Sequence, residues 1–401
     1  MARKIVGVIG VGQTEFKRHH ADKTYVELAQ SAAKMALEDA GLHPDEVEAV
    51  VFSMAPTQFA GVNDIDRWAI EHVWGAGKPF MRVHTGGATG GSAFHAGYFH
   101  VASGQYRTVL VVGADRVAET PDAQHVLNLI WDKFYEQDFA LNTVTMTALA
   151  AQRYMHRYGV TEEQFARVVV RARCNAEGNS YAHLKGSISV EDVMASPRIA
   201  YPFKRLDICP RSSGAAAVVL ANLEVTTQKC TRPAFVNGVG AITHSVFMGD
   251  RLGYWSDTEF ADHDGCILAA RHAYRQAGIT DPVRELDVAE IYDPFSSFQF
   301  PQLESLGFCG RGRAAELSDH GCWDMDGMVA VNPSGGTLCT NPIGVTGLVR
   351  HIDAALQIKG RAGRNQISRA SNVVATAIGG STQFFTVSVL GSDHRGVGRS
   401  A

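Results

Sequence analysis

The same succession of segments runs through this chain twice, and that repeat limits its fold more than any other feature of the sequence. Lys4 to Gly12 is an apolar stretch punctuated by glycines and predicts a first strand. Tyr25 to Ala40 carries a helical apolar period and stops at Gly41, the residue type suited to a left-handed cap, and Val47 to Phe52 predicts a second strand. The second half restates the order with Pro233 to Gly240, a helix ending over Ala269 to Ala277 before Gly278, and Val288 to Tyr292. Even the helix endings correspond, "AAKMALEDAG" in one half and "AARHAYRQAG" in the other. Each half then reaches a glycine-rich loop that opens a helix, Thr85 to Gly91 and Ser334 to Pro342, and follows it with an apolar strand, Thr108 to Gly113 and Val373 to Ile378. Strands that alternate with helices and are apolar almost throughout belong to sheets covered on both faces. The expectation is an α/β fold of two duplicated β-α-β-α-β halves stacked in layers, residues 1–225 and 226–401. From about 116 to 200 the pattern turns helical, including Leu149 to Tyr158 and Thr161 to Ala176. That stretch reads as an insertion in the first half, suited to a lid or substrate-binding role because loops on a rigid scaffold carry recognition.

Composition narrows the function. With 45% hydrophobic and 19% charged residues and a net charge of -4, the chain offers no basic field for nucleic acid. Met1 to Lys4 has the charge of an export leader, but the apolar run after it is short and broken by Gly7 and Gly10, so it reads as a strand. No stretch approaches the ~20 apolar residues of a membrane helix, and the expected location is the cytoplasm. The seven cysteines are an odd number without close pairing, which predicts reduced thiols. There is no CxxC pair, no His/Cys cluster with zinc spacing, no Walker loop and no G-x-G-x-x-G order, so neither a metal nor a dinucleotide is expected on this chain.

Several motifs in order, over nearly the whole chain, resemble a known family. They are Val83 to Gly91 with Ser92-Ala93, Tyr292-Asp293-Pro294-Phe295 running into Leu306-Gly307-Phe308-Cys309, and Asn332 to Gly336 through Gly344-Val345-Thr346-Gly347. Together they look like the sterol-carrier-protein-x branch of the thiolases. The resemblance implies the thiolase fold, an acyl-CoA substrate with coenzyme A as part of it, no cofactor bound on this chain, a homodimer, and a small zinc-ribbon and OB-fold partner subunit. It also exposes what is missing. The family's nucleophilic cysteine belongs in a pattern like "C-A-S-G-G", and the matching run here is Gly87-Ala88-Thr89-Gly90-Gly91. Its histidine in "H-D-x-F" is Tyr292, and the "G-H-P" histidine is replaced in Thr340-Asn341-Pro342. The last catalytic loop reads Thr376-Ala377-Ile378-Gly379-Gly380-Ser381, with neither nucleophile nor base.

Thiolysis passes through an acyl-enzyme thioester that glycine cannot form. A glycine-rich loop at a helix N-terminus can still hold a thioester oxygen or a developing enolate. Surviving scaffold without nucleophile points to enolate chemistry such as aldol or retro-aldol cleavage of a 3-hydroxyacyl-CoA, and a thiolase-like steroid side-chain aldolase family that uses tyrosines for proton transfer is similar in this respect. The candidates are Tyr292 as acid or base, Asn341 to polarise the thioester, and Cys339 as acid, base or displaced nucleophile. Gly87, Thr89, Gly379, Gly380 and His84 are candidates for holding substrate or oxyanion. Trp131, Phe134 and Tyr135 of the insertion would line an acyl tunnel or belong to the core. Three functions stay open: a carbon–carbon lyase, a thiolase-type acyltransferase with a displaced nucleophile, and an inactive acyl-CoA-binding subunit.

Overall fold

The computed structural model describes residues 4–61, 63–139, 141–251 and 259–394. Met1 to Arg3, part of the charged start, lie outside the described residues. The ten-stranded sheet takes five strands from the first half: β1 (Val6–Gln13), β2 (Ala49–Ser53), β3 (Phe80–Val83), β4 (Thr108–Arg116) and β5 (Ser213–Asn222). The second half supplies β6 (Ala234–Thr243), β7 (Val288–Glu290), β8 (Ala330–Val331), β9 (Asn372–Gly379) and β10 (Phe384–Gly391). In space they run β8-β7-β9-β10-β6-β1-β5-β4-β2-β3. Each half therefore orders its strands third, second, fourth, fifth, first. Pairing directions repeat as well: β2 is parallel to β3 and β4, β7 to β8 and β9, and the fifth strand is antiparallel to the fourth and the first in both halves. The halves join where β1 meets β6 antiparallel, at Gly7 opposite Phe235 and Val8 opposite Ala234.

Helix α1 (Tyr25–Ala40) packs on β1, β4 and β5, and its counterpart α5 (Asp264–Ala277) on β6 and β10. Both end in left-handed glycines, Gly41 at φ 61° and Gly278 at φ 66°. The repeated glycine and alanine phrases set this contact. A Cβ at Gly10 or Gly12 would lie 2.1 Å from the Ala36 carbonyl or 2.3 Å from that of Ala32. At Gly238 or Gly240 it would lie 2.0 Å from the carbonyls of Ala273 or Ala269. Strand and helix backbones touch at both places, so any side chain would force them apart. Helices α2 (Thr89–Ala102) and α6 (Thr346–Lys359) pack on each other and reach strands of both halves. They cross where Gly90 meets the Leu348 amide and Gly347 meets Gly91.

The insertion between β4 and β5 holds α3 (Thr143–Tyr158) and α4 (Glu162–Ala176), each started by a capping box, from Asn142 and Thr161. The structure differs from expectation in two respects. Each half adds two strands to the β-α-β-α-β reading, the short parallel β3 or β8 and the antiparallel β5 or β10. The loop from Ser334 opens only a four-residue helical turn, Gly336–Cys339. Pro342 and Ile343, the latter at φ 48°, then turn the chain before α6 begins. No helix of the described residues is long and apolar enough to cross a membrane.

Candidate active site

A cavity of about 440 Å³ opens where the glycine loops of the two halves meet. Gly86 and Gly87 precede α2, Gly379 ends β9 and Gly380 follows it, and all four line the cavity. The loops are seated backbone on backbone: a Cβ on Gly379 would come 2.1 Å from the Thr85 carbonyl and 2.5 Å from the Ala88 amide.

Tyr292, just beyond β7, fills the place beside Gly87. A Cβ on Gly87 would stand 2.6 Å from the Tyr292 hydroxyl oxygen, 3.1 Å from its Cζ and 2.6 Å from the Ile378 carbonyl. The side chain missing at position 87 and the phenol at 292 thus compete for one volume. The Tyr292 backbone is clamped: its amide donates to Thr376 Oγ1 at 3.0 Å, its carbonyl accepts from Gln302 Nε2 at 2.7 Å, and Thr376 Oγ1 donates to Gln302 Oε1 at 2.9 Å. Burial, reinforced by Cys209, Asp115 and Asp293, drives the phenol pKa far above its usual value, so the hydroxyl is a proton donor at neutral pH. Neighbouring Asp293 is structural. Its carboxylate accepts from Thr337 N at 2.8 Å and Gln299 Nε2 at 2.9 Å, with a pKa raised by burial to about 6.

Asn341 faces the same cavity in a fixed orientation. Its Oδ1 accepts from Thr346 Oγ1 at 2.8 Å and Ile343 N at 3.3 Å, which turns Nδ2 toward Cys209 Sγ at 3.0 Å. His84 lines the cavity with its pKa lowered by burial and by Arg82, so its imidazole is neutral near pH 7. An apolar part of the wall is drawn from Leu127, Ile130 and Met146 of the insertion and from Phe295, Phe298 and Phe384.

Of the residues singled out in the sequence, the fold gathers Tyr292, Asn341, Gly87, Gly379, Gly380 and His84 around this space. Thr89 is turned away from it, its hydroxyl donating to the Gly86 carbonyl and accepting from Thr85 N at 2.9 Å, so it shapes the loop. Cys339 is wholly buried behind the cavity wall, its thiol pKa raised by burial to about 12. The thiol on the wall is Cys209, missed by the motif comparison, and burial raises it to about 12 as well. Only its place just before the final strand of the first half could have marked it. Of the two readings for the insertion's aromatics, Trp131 follows the core one, while Phe134 and Tyr135, 81% and 71% exposed, belong neither to the core nor to the cavity wall.

Comparison with known proteins agrees with this fold. Residues 6–195 match the family described as thiolase, N-terminal domain, and residues 255–392 the one described as thiolase C-terminal domain-like. Acetyl-CoA acetyltransferase of Methanothermobacter thermautotrophicus is 30% identical over 94% of this chain and 96% of its own. A protein of Mycobacterium tuberculosis named 17-hydroxy-3-oxo-4-pregnene-20-carboxyl-CoA lyase is 27% identical over 92% of this chain and 95% of its own. Among solved structures, one described as an Ltp2-ChsH2(DUF35) aldolase superposes with a TM-score of 0.82 at 26% identity, covering 98% of this chain and all of that one.

Proposed function

This chain belongs to the thiolase family, and from that premise we propose that it is an acyl-CoA lyase, making or breaking a carbon–carbon bond by aldol chemistry without an acyl-enzyme. One observation carries the reading: the Tyr292 hydroxyl stands within 2.6 Å of where a Cβ at position 87 would be, in the space a nucleophile at the start of α2 would need. The replacement is thus a repacked site with a proton donor in it. Similarity to a protein named as a lyase and to a structure described as an aldolase supports the same direction.

In the cleavage direction, the substrate is a 3-hydroxyacyl-CoA. His84, neutral, takes the proton of the 3-hydroxyl; the Cα–Cβ bond breaks and a ketone or aldehyde leaves. The electron pair passes into the thioester as an enolate, held by Asn341 Nδ2 and the amides of the two glycine loops. Tyr292 then delivers a proton to Cα, and His84 returns one to the tyrosine oxygen through solvent, so no net proton is consumed. A donor with a raised pKa suits the strongly basic enolate.

The acyltransferase reading is favoured by similarity to the acetyl-CoA acetyltransferase. Against it, the thiol at the cavity, Cys209, is held protonated by burial, and an acyltransferase needs a thiolate. For partners, we propose a homodimer that recruits a small zinc-ribbon and OB-fold subunit; the similar aldolase structure is named with a DUF35 partner.

The test is a mass-spectrometric product assay offering a 3-hydroxyacyl-CoA and, separately, a 3-ketoacyl-CoA with free CoA. Release of a ketone or aldehyde from the hydroxy substrate, reduced roughly 10²–10⁴-fold by Tyr292→Phe, is the expected result. Cleavage of the keto substrate alone, with consumption of CoA, would sink the lyase reading.

A further inference from the structure

Arg251 is only 2% exposed, and its guanidinium group sits behind the loop that follows β9. Nη1 donates to the Ser381 carbonyl at 2.6 Å, the Thr382 carbonyl at 2.8 Å and Thr382 Oγ1 at 3.2 Å, and Nη2 donates to Ser381 Oγ at 2.7 Å. Among the described residues it forms no ion pair, and Glu136 and Asp250 act on it only at longer range. Burial lowers its pKa to about 10, so it stays protonated at neutral pH. Removing a cation from water is costly, and the hydrogen bonds that offset it here go mainly to one loop. That loop needs holding. Thr382 sits at φ 59°, next but one to Gly380 at φ 64°. A left-handed conformation outside glycine costs of order 1–3 kcal/mol and persists only where its surroundings over-determine it. Gly379, Gly380 and Thr382 line the reaction cavity, whereas Arg251 is not part of its wall. In a trans peptide the N–H points away from the C=O. Seating the Ser381 carbonyl on Arg251 therefore turns the Thr382 N–H to the opposite side of the loop. A cation on that carbonyl also polarises the peptide and makes its N–H a stronger donor.

We propose that Arg251 is a positioning residue for the reaction: from behind the loop it fixes and polarises the peptides that follow Gly380, so that the loop's amides meet the thioester oxygen without rearranging. The proposal rests on the enolate reading above and names what prepares its oxyanion loop. A lysine would supply the charge but not the planar fork that reaches Ser381 and Thr382 together.

Infrared spectra of butyryl-CoA labelled with carbon-13 at the thioester carbonyl, bound to the full chain, test it without turnover, because this acyl group carries no 3-hydroxyl. On the wild type the carbonyl stretch should lie at lower frequency than in solution. In Arg251→Met about half or more of that displacement should be lost, while affinity changes by less than about threefold. With a 3-hydroxyacyl-CoA, kcat of the same variant should fall roughly 10–100-fold with KM nearly unchanged. Arg251→Lys should lie between the two, and methylguanidinium should restore part of kcat to Arg251→Ala where methylammonium does not. If Arg251→Met does not fold, the lysine variant decides by the same readings. A full displacement in Arg251→Met or Arg251→Lys, no displacement on the wild type, or no binding of butyryl-CoA would overturn the proposal. Parallel loss of affinity and kcat without rescue by methylguanidinium would mark a merely structural residue and overturn it too. The displacement lost as expected, while not even the wild type cleaves a hydroxyacyl-CoA, would leave the positioning role standing and remove the lyase reading instead.

Discussion

The contest between position 87 and the phenol at 292 can be measured as a coupling energy. An alanine at 87 puts a Cβ 2.6 Å from the Tyr292 hydroxyl oxygen and 2.6 Å from the Ile378 carbonyl, both far inside contact distance. The carbonyl belongs to Ile378 of β9, which is paired there with Phe385 of β10, so its retreat is resisted. The tyrosine backbone is held by Thr376 and Gln302, so the ring must tilt. Overpacking of this kind costs about 1–3 kcal/mol. Removing the hydroxyl with Tyr292→Phe takes away the atom at 2.6 Å and leaves Cζ, at 3.1 Å, as the nearest, which relieves most of the tyrosine share of the strain and leaves the carbonyl share. Gly87→Ala should therefore destabilise less in the phenylalanine background than in wild type, by at least about 0.5 kcal/mol. Denaturant unfolding of the wild type, both single variants and the double variant supplies the cycle. Additivity within about 0.3 kcal/mol, or coupling of the opposite sign, would refute the claim that glycine at 87 is there to admit the phenol.

Other consequences follow from the buried charges. Arg350 bonds Glu290 at 2.8 Å and Asp353 at 2.8 Å, all three buried, so Arg350→Met strands two carboxylates; we expect a loss of about 3–5 kcal/mol in denaturant unfolding. If His84 accepts the hydroxyl proton, kcat/KM should fall as pH drops through a pKa below the ordinary 6.5, because only the neutral ring works, and His84→Gln should erase that limb. A limb lying above 6.5 would remove His84 from this role. Iodoacetamide at pH 8 should modify exposed Cys174 while Cys209, with its pKa near 12, stays intact and activity survives. Inactivation that tracks modification of Cys209 or Cys339 would revive the acyltransferase reading.

Much of the scaffold could be read directly because its signals are local. Helix α1 runs over the residues its periodicity and terminal glycine marked, and α5 ends where Gly278 said it would. The duplication was visible in phrases such as "AAKMALEDAG" and "AARHAYRQAG" because both serve one contact, a helix lying on a strand through alanine and glycine. Boundaries were less legible where tertiary pairing sets them. The start of β1 at Val6 rather than Lys4 and the antiparallel strands β5 and β10 depend on neighbours distant in the chain.

By itself the sequence determined the duplicated α/β scaffold, the glycine at 87 where the family it resembles has a cysteine, and Tyr292 and Asn341 where that family has histidines, since each is written in residue type and order. Only the tertiary structure decided which residues share a cavity. It brought Cys209 to the wall and left Cys339 behind it, turned Thr89 into the loop, and seated the Tyr292 hydroxyl against Gly87 from 205 positions away along the chain. It also set Arg251 against the carbonyls of Ser381 and Thr382. The reason is physical: a period or a cap acts over a few residues, while burial, charge–dipole contact and steric exclusion act between atoms that only the closed sheet and its crossing helices make neighbours.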